Sequence, residues 1–261
     1  MNFIISGYGY VGKATRRILD EYLGYYHKQR SVVEINDPYL EMHAVNWEAA
    51  DWHFICVPTP IDQDSQYDLT AITDAINLAK LCGFKGHTVI RSTVSPTDID
   101  HIESLAGNVI MWPEFLRKAS WEIDALNPPI SIAGGKHVGE LLDLFFKYKI
   151  LPFNDAKTAS MIKLVANSYL AMKVIVAHDI AKSCEKLDIK PSDIQMALSM
   201  DPRLGTSHWQ QPGPDGKWGF GGACLPKDTA AMQKLLEQTD VFDSYADWAI
   251  AKNNSIKSNK S

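Results

Sequence analysis

The sequence predicts an α/β fold, in which a Rossmann-type doubly wound parallel sheet is followed by a helical domain with a long central helix. Three observations predict it. Short apolar runs alternate with helical segments, glycines follow the first run at once, and a long stretch without helix breakers begins near Asp155. Strands separated by helical crossovers form parallel sheets that are covered on both faces. We therefore place a Rossmann-type domain at residues 1–154 and a helical domain at residues 155–261.

The elements of the first domain can be assigned in order along the chain. The predicted strands cover residues 3–6, 31–36, 52–57, 88–93, 108–112 and 130–133. A helix over residues 11–27 follows the first strand, and Gly134 and Gly135 open another helix that ends near Lys149. Proline, glycine and asparagine occur in most of the connections between these strands and helices, as expected for turns.

The second domain is predicted to be helical. Between residues 155 and 187 no breaker occurs, and a helix of this length bridges two parts of a molecule or two subunits. Further helices are expected at residues 192–200 and 226–237, on either side of a Gly/Pro-rich loop at residues 204–222. The polar tail, residues 252–261, is expected to fray.

Composition narrows the classes of function. A content of 46% hydrophobic and 22% charged residues is typical of a soluble globular protein, and a net charge of −5 argues against a nucleic-acid partner. No apolar run approaches the ~18 residues of a membrane span, and no basic leader precedes the first strand, so we expect a cytoplasmic protein without a membrane partner. The cysteines lack CxxC spacing, which fits a reducing compartment and leaves one of them available as a nucleophile. They are Cys56, Cys82, Cys184 and Cys224.

A dinucleotide site is predicted at residues 7–12, where GYGYVG fits the GxGxxG pattern between a strand and a helix. Gly7 permits the tight turn, Gly9 lets a pyrophosphate approach the backbone, and Gly12 lets the helix pack closely. Asp37, at the end of the second strand, would accept hydrogen bonds from ribose hydroxyls and repel a 2′-phosphate, which favours NAD over NADP. The alternative is a turn without a ligand, with Asp37 as a turn former. Glu34 is a rival acid, although strand alternation aims it elsewhere.

Seven sequence blocks occur in the order of one known family. They are residues 7–12 (GYGYVG), 56–60 (CVPTP), 92–94 (STV), 113–116 (PEFL), 162–167 (IKLVAN), 201–205 (DPRLG) and 219–228 (GFGGACLPKD). Through these blocks the chain resembles the UDP-glucose/GDP-mannose dehydrogenase family from residue 1 to about residue 235. The resemblance implies an NAD-dependent four-electron oxidation of a nucleotide sugar to a uronate. It favours UDP-glucose over GDP-mannose as substrate, and implies a homodimer built on the long helix.

Cys224 is the candidate nucleophile. It lies between a glycine-rich loop and a helix start at Pro226, where the helix dipole and Lys227 favour the thiolate. The alternative is a small buried apolar side chain, as we expect for the other three cysteines. Lys163 and Asn167 project from one helix face, since they are one turn apart. The resemblance implies that they stabilise an oxyanion, and the alternative is a solvated stripe on an amphipathic helix.

The resemblance implies further site residues. Glu114 would act together with a water molecule in acid–base catalysis and in hydrolysis of the thioester. Asp228 would help to activate that water, and Thr93 would help to position it. The alternative for each carboxylate is a helix cap or an ion pair, and the alternative for Lys227 is a structural ion pair. The implied cofactor contacts are Gly7, Tyr10, Val11, Gly12, Asp37, Pro58, Thr59, Thr93 and Lys227. The implied substrate contacts are Glu114, Phe115, Leu116, Lys163, Asn167, Phe220 and Gly221, and no metal site is expected.

Four departures from the family pattern bear on the substrate. Lys118 replaces a usual glutamate, His178-Asp179 replaces Asn-Glu on the long helix, and residues 215–218 (DGKW) are inserted into the glycine-rich loop. The second nucleotide-binding domain of full-length relatives is expected to be missing. A catalytically idle NAD- or sugar-nucleotide-binding protein that partners a full-length enzyme is therefore an alternative, as is a simple two-electron NAD oxidoreductase.

Overall fold

The structure, a computed structural model, describes residues 1–26, 31–43, 45–146 and 148–258. The chain forms two compact units. Unit 1 comprises Met1–Asp62 and Tyr67–Lys163, and unit 2 comprises Gln63–Gln66 and Leu164–Ser261. Because the predicted sheet and the predicted long helix are both present, the predicted fold class is confirmed.

Unit 1 is built on a seven-stranded sheet with the order β2-β1-β3-β4-β5-β6-β7. Its strands are β1 (Asn2–Ser6), β2 (Val32–Asn36), β3 (Trp52–Ile55), β4 (His87–Ile90), β5 (Val109–Met111), β6 (Ile132–Gly134) and β7 (Leu151–Phe153). The pairs are parallel except for β5 and β6, where Met111 lies opposite Gly134 in an antiparallel pair. The sheet is therefore mixed, and the prediction of a wholly parallel sheet is wrong at this pair. Strand β7 was not predicted.

The antiparallel entry of β6 follows from the connection that precedes it. A parallel β6 would require the chain to return to the edge of the sheet where β5 begins. Instead the segment after β5 stays near the edge where β5 ends, and within it the Arg117 guanidinium donates to the buried Asp124 carboxylate at 2.6 and 3.0 Å. Hydrogen bonds from Arg117 hold the pKa of the Asp124 carboxyl below its usual range. The chain therefore enters β6 from the edge where β5 ends.

The helices enclose the sheet and form most of unit 2. They are α1 (Tyr10–Tyr26), α2 (Thr70–Leu81), α3 (Ile99–Ala106), α4 (Trp121–Leu126), α5 (Val138–Leu144), α6 (Ala156–Lys186), α7 (Pro191–Ser199), α8 (Leu225–Gln238) and α9 (Tyr245–Ser258). The predicted end of α1 at His27 lies outside the described residues. Alternate strand residues supply two core clusters, with Phe54 in one and Ile55 in the other, as expected for a sheet covered on both faces.

Helix α6 is the long helix that the sequence predicts, and it runs for 31 residues. Asp155 caps its start by accepting a hydrogen bond from the Thr158 amide at 2.7 Å. By length and composition α6 would be able to cross a membrane, but 56% of its most apolar window is buried inside the protein. This burial is the pattern of a core helix.

The C-terminal segment is ordered helix, so the prediction that residues 252–261 fray is wrong for the residues that α9 covers. Asn253 is only 3% exposed, and Ile256 belongs to a core cluster with Phe220. The Asn253 carboxamide accepts from the Phe220 amide at 2.9 Å and donates to the Phe220 carbonyl at 3.1 Å. The polar composition of the tail conceals this, because only one face of α9 is buried. Residues 259–261 lie outside the described range.

Asn253→Ala is expected to lower the free energy of unfolding by about 2 kcal/mol, because both backbone groups of buried Phe220 lose their partner. The measurement is urea denaturation followed by circular dichroism. Asn254→Ala is the matched control, since its exposed neighbouring side chain should be replaceable with little change. Equal stability losses in the two variants would contradict the structural role of Asn253.

Candidate active site

The glycine turn between β1 and α1 has the geometry of a nucleotide-binding turn. Gly7 has φ +85, and a Cβ there would lie 2.8 Å from the Cys56 carbonyl oxygen. A Cβ on Gly12 would collide with the Gly7 carbonyl oxygen, whereas a Cβ on Gly9 would meet nothing within 4 Å. The protein therefore packs tightly against the turn at Gly7 and Gly12 and leaves space at Gly9. A pyrophosphate could approach the backbone and the start of α1 on that open side.

A cavity of about 740 Å³ lies beside this turn. Of the predicted cofactor contacts, Gly7, Asp37 and Pro58 line it, and Gly9 lines it as well. Its volume falls within the ~300–1,000 Å³ of small-molecule sites. Tyr10, Val11 and Gly12 lie in the first turn of α1. These residues fit a dinucleotide, because the open backbone at Gly9 and the acid at Asp37 share one cavity.

Asp37 has two structural partners. Its carboxylate accepts from the Tyr8 amide at 2.6 Å and from the Tyr39 amide at 2.9 Å, which caps the 3₁₀ turn Pro38–Leu40. Asp37 is therefore a turn former that also lines the cavity, and each carboxylate oxygen keeps a further lone pair for a ligand hydroxyl. The rival acid, Glu34, instead accepts a hydrogen bond from the Asn46 amide at 2.8 Å.

The ends of β3 and β4 are joined by side-chain hydroxyls. Thr59 Oγ1 donates to the Thr93 carbonyl at 2.7 Å, and Ser92 Oγ donates to the Val57 carbonyl at 2.7 Å. Two predicted site residues, Thr59 and Thr93, are thus held side by side. Ser92 is a positioning residue that sequence reasoning did not single out, although it stands in the STV block.

Lys163 and Glu114 form a buried pair in unit 1. The Lys163 ammonium donates to the Glu114 carbonyl oxygen at 2.6 Å and lies 3.3 Å from its Oε1. The other carboxylate oxygen accepts from the Leu116 amide at 2.6 Å. The Phe115 ring lies beneath the ammonium, 5.0 Å from centroid to Nζ. The sequence placed both charged residues in the site but did not pair them, and their catalytic roles stay predictions.

Arg91 is a buried cation that sequence reasoning missed. Its side chain follows β4, and the guanidinium carbon lies 4.1 Å from the centre of the Trp112 ring. Burial lowers the pKa of Arg91, and its Nε has no hydrogen-bond partner among the described residues. The sequence feature that could have identified Arg91 is its position directly after an apolar strand.

In unit 2, Cys224 occupies the N-cap position of α8, one residue before the helix begins at Leu225. The site around it contains a hydrogen-bonded trio. Asp228, which is fully buried, accepts from Asn167 Nδ2 at 2.5 Å and from Lys227 Nζ at 2.5 Å. The Lys227–Asp228 contact is the structural ion pair that the sequence analysis gave as the alternative role of Lys227. Asn167 and Asp228 were both predicted, but their contact was not.

The glycine-rich loop contributes Phe220 and Gly221. The Phe220 ring is buried in a core cluster, and its backbone is held by Asn253, whereas Gly221 is exposed. Both residues line a cavity of about 360 Å³ in unit 2. Their predicted substrate contacts stay predictions. Lys118, one of the departures from the family pattern, has a side chain outside the described part of the chain.

The cysteines differ in burial. Cys56 and Cys184 are buried as expected, but Cys82 is exposed at the end of α2, so that prediction is wrong for Cys82. Burial raises the pKa of the Cys56 thiol to about 11. None of the four forms a disulfide, and within the described ranges no group of three His, Cys, Asp or Glu side chains could hold a metal ion.

Comparisons with known proteins agree with these features. A family model for the NAD binding domain of the UDP-glucose/GDP-mannose dehydrogenase family matches residues 40–145, which confirms NAD as the cofactor, and its central-domain model matches residues 157–255. UDP-glucose 6-dehydrogenases from Rickettsia felis and Rickettsia prowazekii are 31% and 30% identical over 84% and 93% of this chain. The chain spans 50% and 55% of their lengths, about half of each relative.

A solved structure of a UDP-glucose dehydrogenase from Pyrobaculum islandicum shares the fold. Its TM-score is 0.78 at 22% identity, and the match covers 97% of this chain and 68% of that chain. At this identity the likeness concerns the fold.

Iodoacetamide at about pH 8 is expected to modify Cys82 and Cys224 and to spare Cys56 and Cys184. With a pKa of about 11, the Cys56 thiol is only about one part in a thousand thiolate at that pH, and its sulfur is buried. Mass spectrometry of tryptic peptides over time measures the order of modification. Labelling in urea, where all four cysteines should react, is the control; Cys56 modified as fast as Cys82 in the native protein would contradict this assignment.

Proposed function

The chain belongs to the UDP-glucose/GDP-mannose dehydrogenase family, and on that premise we propose that it oxidises the primary alcohol of a nucleotide-linked hexose to a carboxylate. UDP-glucose is the favoured substrate and GDP-mannose the second. The observation that carries the proposal is the position of Cys224 at the start of α8, because a hydride transfer alone needs no nucleophilic thiol.

NAD, when bound, would supply the hydride acceptor, and each of the two oxidation steps would use one NAD. Gly7, Gly9 and the start of α1 would hold its pyrophosphate, and Asp37 would accept from the adenosine ribose hydroxyls. The carboxylate of Asp37 would repel a 2′-phosphate, which favours NAD over NADP. Pro58, Thr59, Thr93 and Lys227 are proposed as further contacts.

The covalent chemistry belongs to Cys224. Loss of a hydride and a proton converts the C6 alcohol of the sugar to an aldehyde. The Cys224 thiolate adds to the aldehyde carbon and forms the oxyanion of a thiohemiacetal, which loses a second hydride and becomes a thioester. Water then cleaves the carbon–sulfur bond, releases the carboxylate and restores the thiol.

The remaining site residues are proposed to stabilise the oxyanion and to position and activate water. Lys163 and Asn167 would stabilise the oxyanion of the thiohemiacetal, with the ammonium as the stronger contribution. Glu114 would accept a proton from the hydrolytic water, and Thr93 would position that water. Asp228 would assist water activation and orients the Asn167 amide, to which it is hydrogen-bonded at 2.5 Å.

We further propose a cytoplasmic homodimer that forms through α6. Support comes from the exposed apolar side chains Val165, Tyr169 and Val176, of which Tyr169 is 51% exposed. Their spacing of four and seven residues places them along one face of the helix. Exposed apolar side chains aligned in this way favour a protein partner.

The parent protein is expected to release two molecules of NADH for each sugar oxidised, with a uronic acid as product. Cys224→Ser should lower turnover roughly a thousandfold, because the thioester path is lost. NADH absorbance under limiting sugar nucleotide, with mass spectrometry of the product, measures the stoichiometry. Cys82→Ser is the matched control and should leave the rate unchanged.

One NADH per sugar with release of an aldehyde would show the thioester mechanism to be wrong. NAD binding without NADH production from any nucleotide sugar would instead support the idle binding protein. The panel includes UDP-glucose, GDP-mannose and UDP-N-acetylmannosamine at high concentration.

Sedimentation velocity at micromolar concentration is expected to show a dimer. Tyr169→Glu should convert it to a monomer, because a carboxylate would be buried in the proposed interface. Leu81→Glu, which alters an even more exposed apolar residue on α2, is the control and should remain dimeric. A parent protein that sediments as a monomer would refute the dimer without bearing on the chemistry.

A further inference from the structure

We propose that Asn36 selects the base of the bound dinucleotide, with its side-chain oxygen accepting a hydrogen bond from the exocyclic amino group of adenine. A buried hydrogen-bond chain through Ser6 to His53 fixes the direction of the Asn36 amide. The inference rests on the proposed placement of NAD in the cavity of about 740 Å³, and it does not depend on the proposed oxidation. All three residues lie outside the seven blocks that carry the family resemblance.

The hydrogen-bond chain begins where β1 and β2 end. Ser6 and Asn36 are the last residues of these strands and are partners in their parallel register. Asn36 Nδ2 donates to Ser6 Oγ at 3.2 Å, and Ser6 Oγ lies 2.8 Å from Nε2 of His53 on β3. All three side chains are buried, so bulk water does not compete for these hydrogen bonds.

His53 sets the direction of the chain. Burial lowers the pKa of the His53 ring to about 3, so the imidazole is neutral and one of its nitrogens is an acceptor. With the Ser6 hydroxyl hydrogen directed to Nε2, Ser6 Oγ is the acceptor for Asn36 Nδ2. The ring hydrogen then lies on Nδ1, which has no hydrogen-bond partner among the described residues. The rings of Trp47 and Phe84 stand nearly perpendicular to the imidazole, at 4.9 and 5.7 Å between centroids, and aromatic rings stabilise such an N–H group weakly.

The free end of the Asn36 amide is its carbonyl oxygen. No described residue donates a hydrogen bond to Oδ1, and this atom is not sealed from solvent. Because Asn36 lines the cavity, Oδ1 is available to a ligand. Of the polar residues that line the cavity, the buried ones are Ser6, Asn36 and Asp37. Asp37 is already proposed for the ribose hydroxyls, so Asn36 Oδ1 is the acceptor left for the base.

The apolar part of the lining suits a flat base. It comes from one face of α2 and from the 3₁₀ turn after Asp37; the residues are Ala71, Ala75, Leu78, Pro38 and Tyr39. Tyr39 is 90% exposed, so it presents ring surface that a ligand can cover. A planar heteroaromatic ring would bury its faces here, but its polar edge needs hydrogen-bond partners. An acceptor at Asn36 suits the amino group of adenine and disfavours the carbonyl oxygen that hypoxanthine carries at the same position.

The test compares NAD with nicotinamide hypoxanthine dinucleotide by isothermal titration calorimetry on the full chain. The parent protein should bind NAD about tenfold more tightly, because the second ligand places an acceptor opposite an acceptor. Asn36→Ala should weaken NAD binding and bring the ratio of the two affinities to about one. Asn77→Ala is the matched control, since this exposed asparagine on α2 does not line the cavity and its loss should leave the ratio unchanged.

The hydrogen-bond chain is tested separately from Asn36. In His53→Phe the Ser6 hydroxyl loses its acceptor and can donate to Asn36, so the amide can turn and the ratio should fall although the asparagine is still present. Ser6→Ala is a smaller change that removes the same link and should also lower the ratio. A purely structural role for either residue would change the melting temperature and not the ratio. Circular dichroism confirms that each variant is folded.

Equal affinities of the parent protein for the two dinucleotides would overturn the proposal, as would a parent-level ratio in Asn36→Ala. A ratio that persists in both His53→Phe and Ser6→Ala would overturn the role of the hydrogen-bond chain. If NAD is preferred through Asn36 while no nucleotide sugar yields NADH, the proposed oxidation fails and the base selection stands. If NADH is made and the parent ratio is one, the oxidation stands and the base selection fails.

Discussion

Parallel pairing of β1 to β5 is the constraint on which the site of unit 1 depends, because it brings the carboxyl ends of five strands to one edge. The predicted residues follow these strands in turn: Gly7 follows β1, Asp37 follows β2, Thr59 follows β3, Thr93 follows β4 and Glu114 follows β5. Each position is far from the others in sequence. The sheet alone makes them neighbours, as in other open α/β sheets that bind ligands at this edge.

Burial of charge is the second organising feature. A buried ammonium or carboxylate is costly unless it is paired and hydrogen-bonded. Lys163 meets this requirement through the carbonyl and carboxylate of Glu114, and Asp228 meets it through Asn167 and Lys227. Both arrangements fix the direction of each polar group before a substrate arrives. Such preorganisation is what electrostatic catalysis requires.

Sequence reasoning succeeded where the signal is local. The glycine turn depends on spacing within six residues, and α6 depends on a long stretch without breakers, so both could be read from the chain. It failed where the cause is a contact between distant residues. The antiparallel pairing of β6 is set by a long connection that contains the Arg117–Asp124 pair, and the buried Asn253 side chain is hydrogen-bonded to Phe220, 33 positions earlier. The polar tail, judged by composition alone, gave no sign of this buried face.

The contact between Asn253 and the glycine-rich loop also restricts how the two segments diverge among relatives. A Cβ on Gly219 would occupy the place of the Asn253 side-chain oxygen. Gly219 also has φ +77, a backbone conformation that side chains disfavour, so a smaller residue at position 253 would give up the Phe220 backbone without making position 219 tolerant. Both the backbone conformation at position 219 and the oxygen of Asn253 therefore hold this position to glycine, which ties the loop before the cysteine to the last helix.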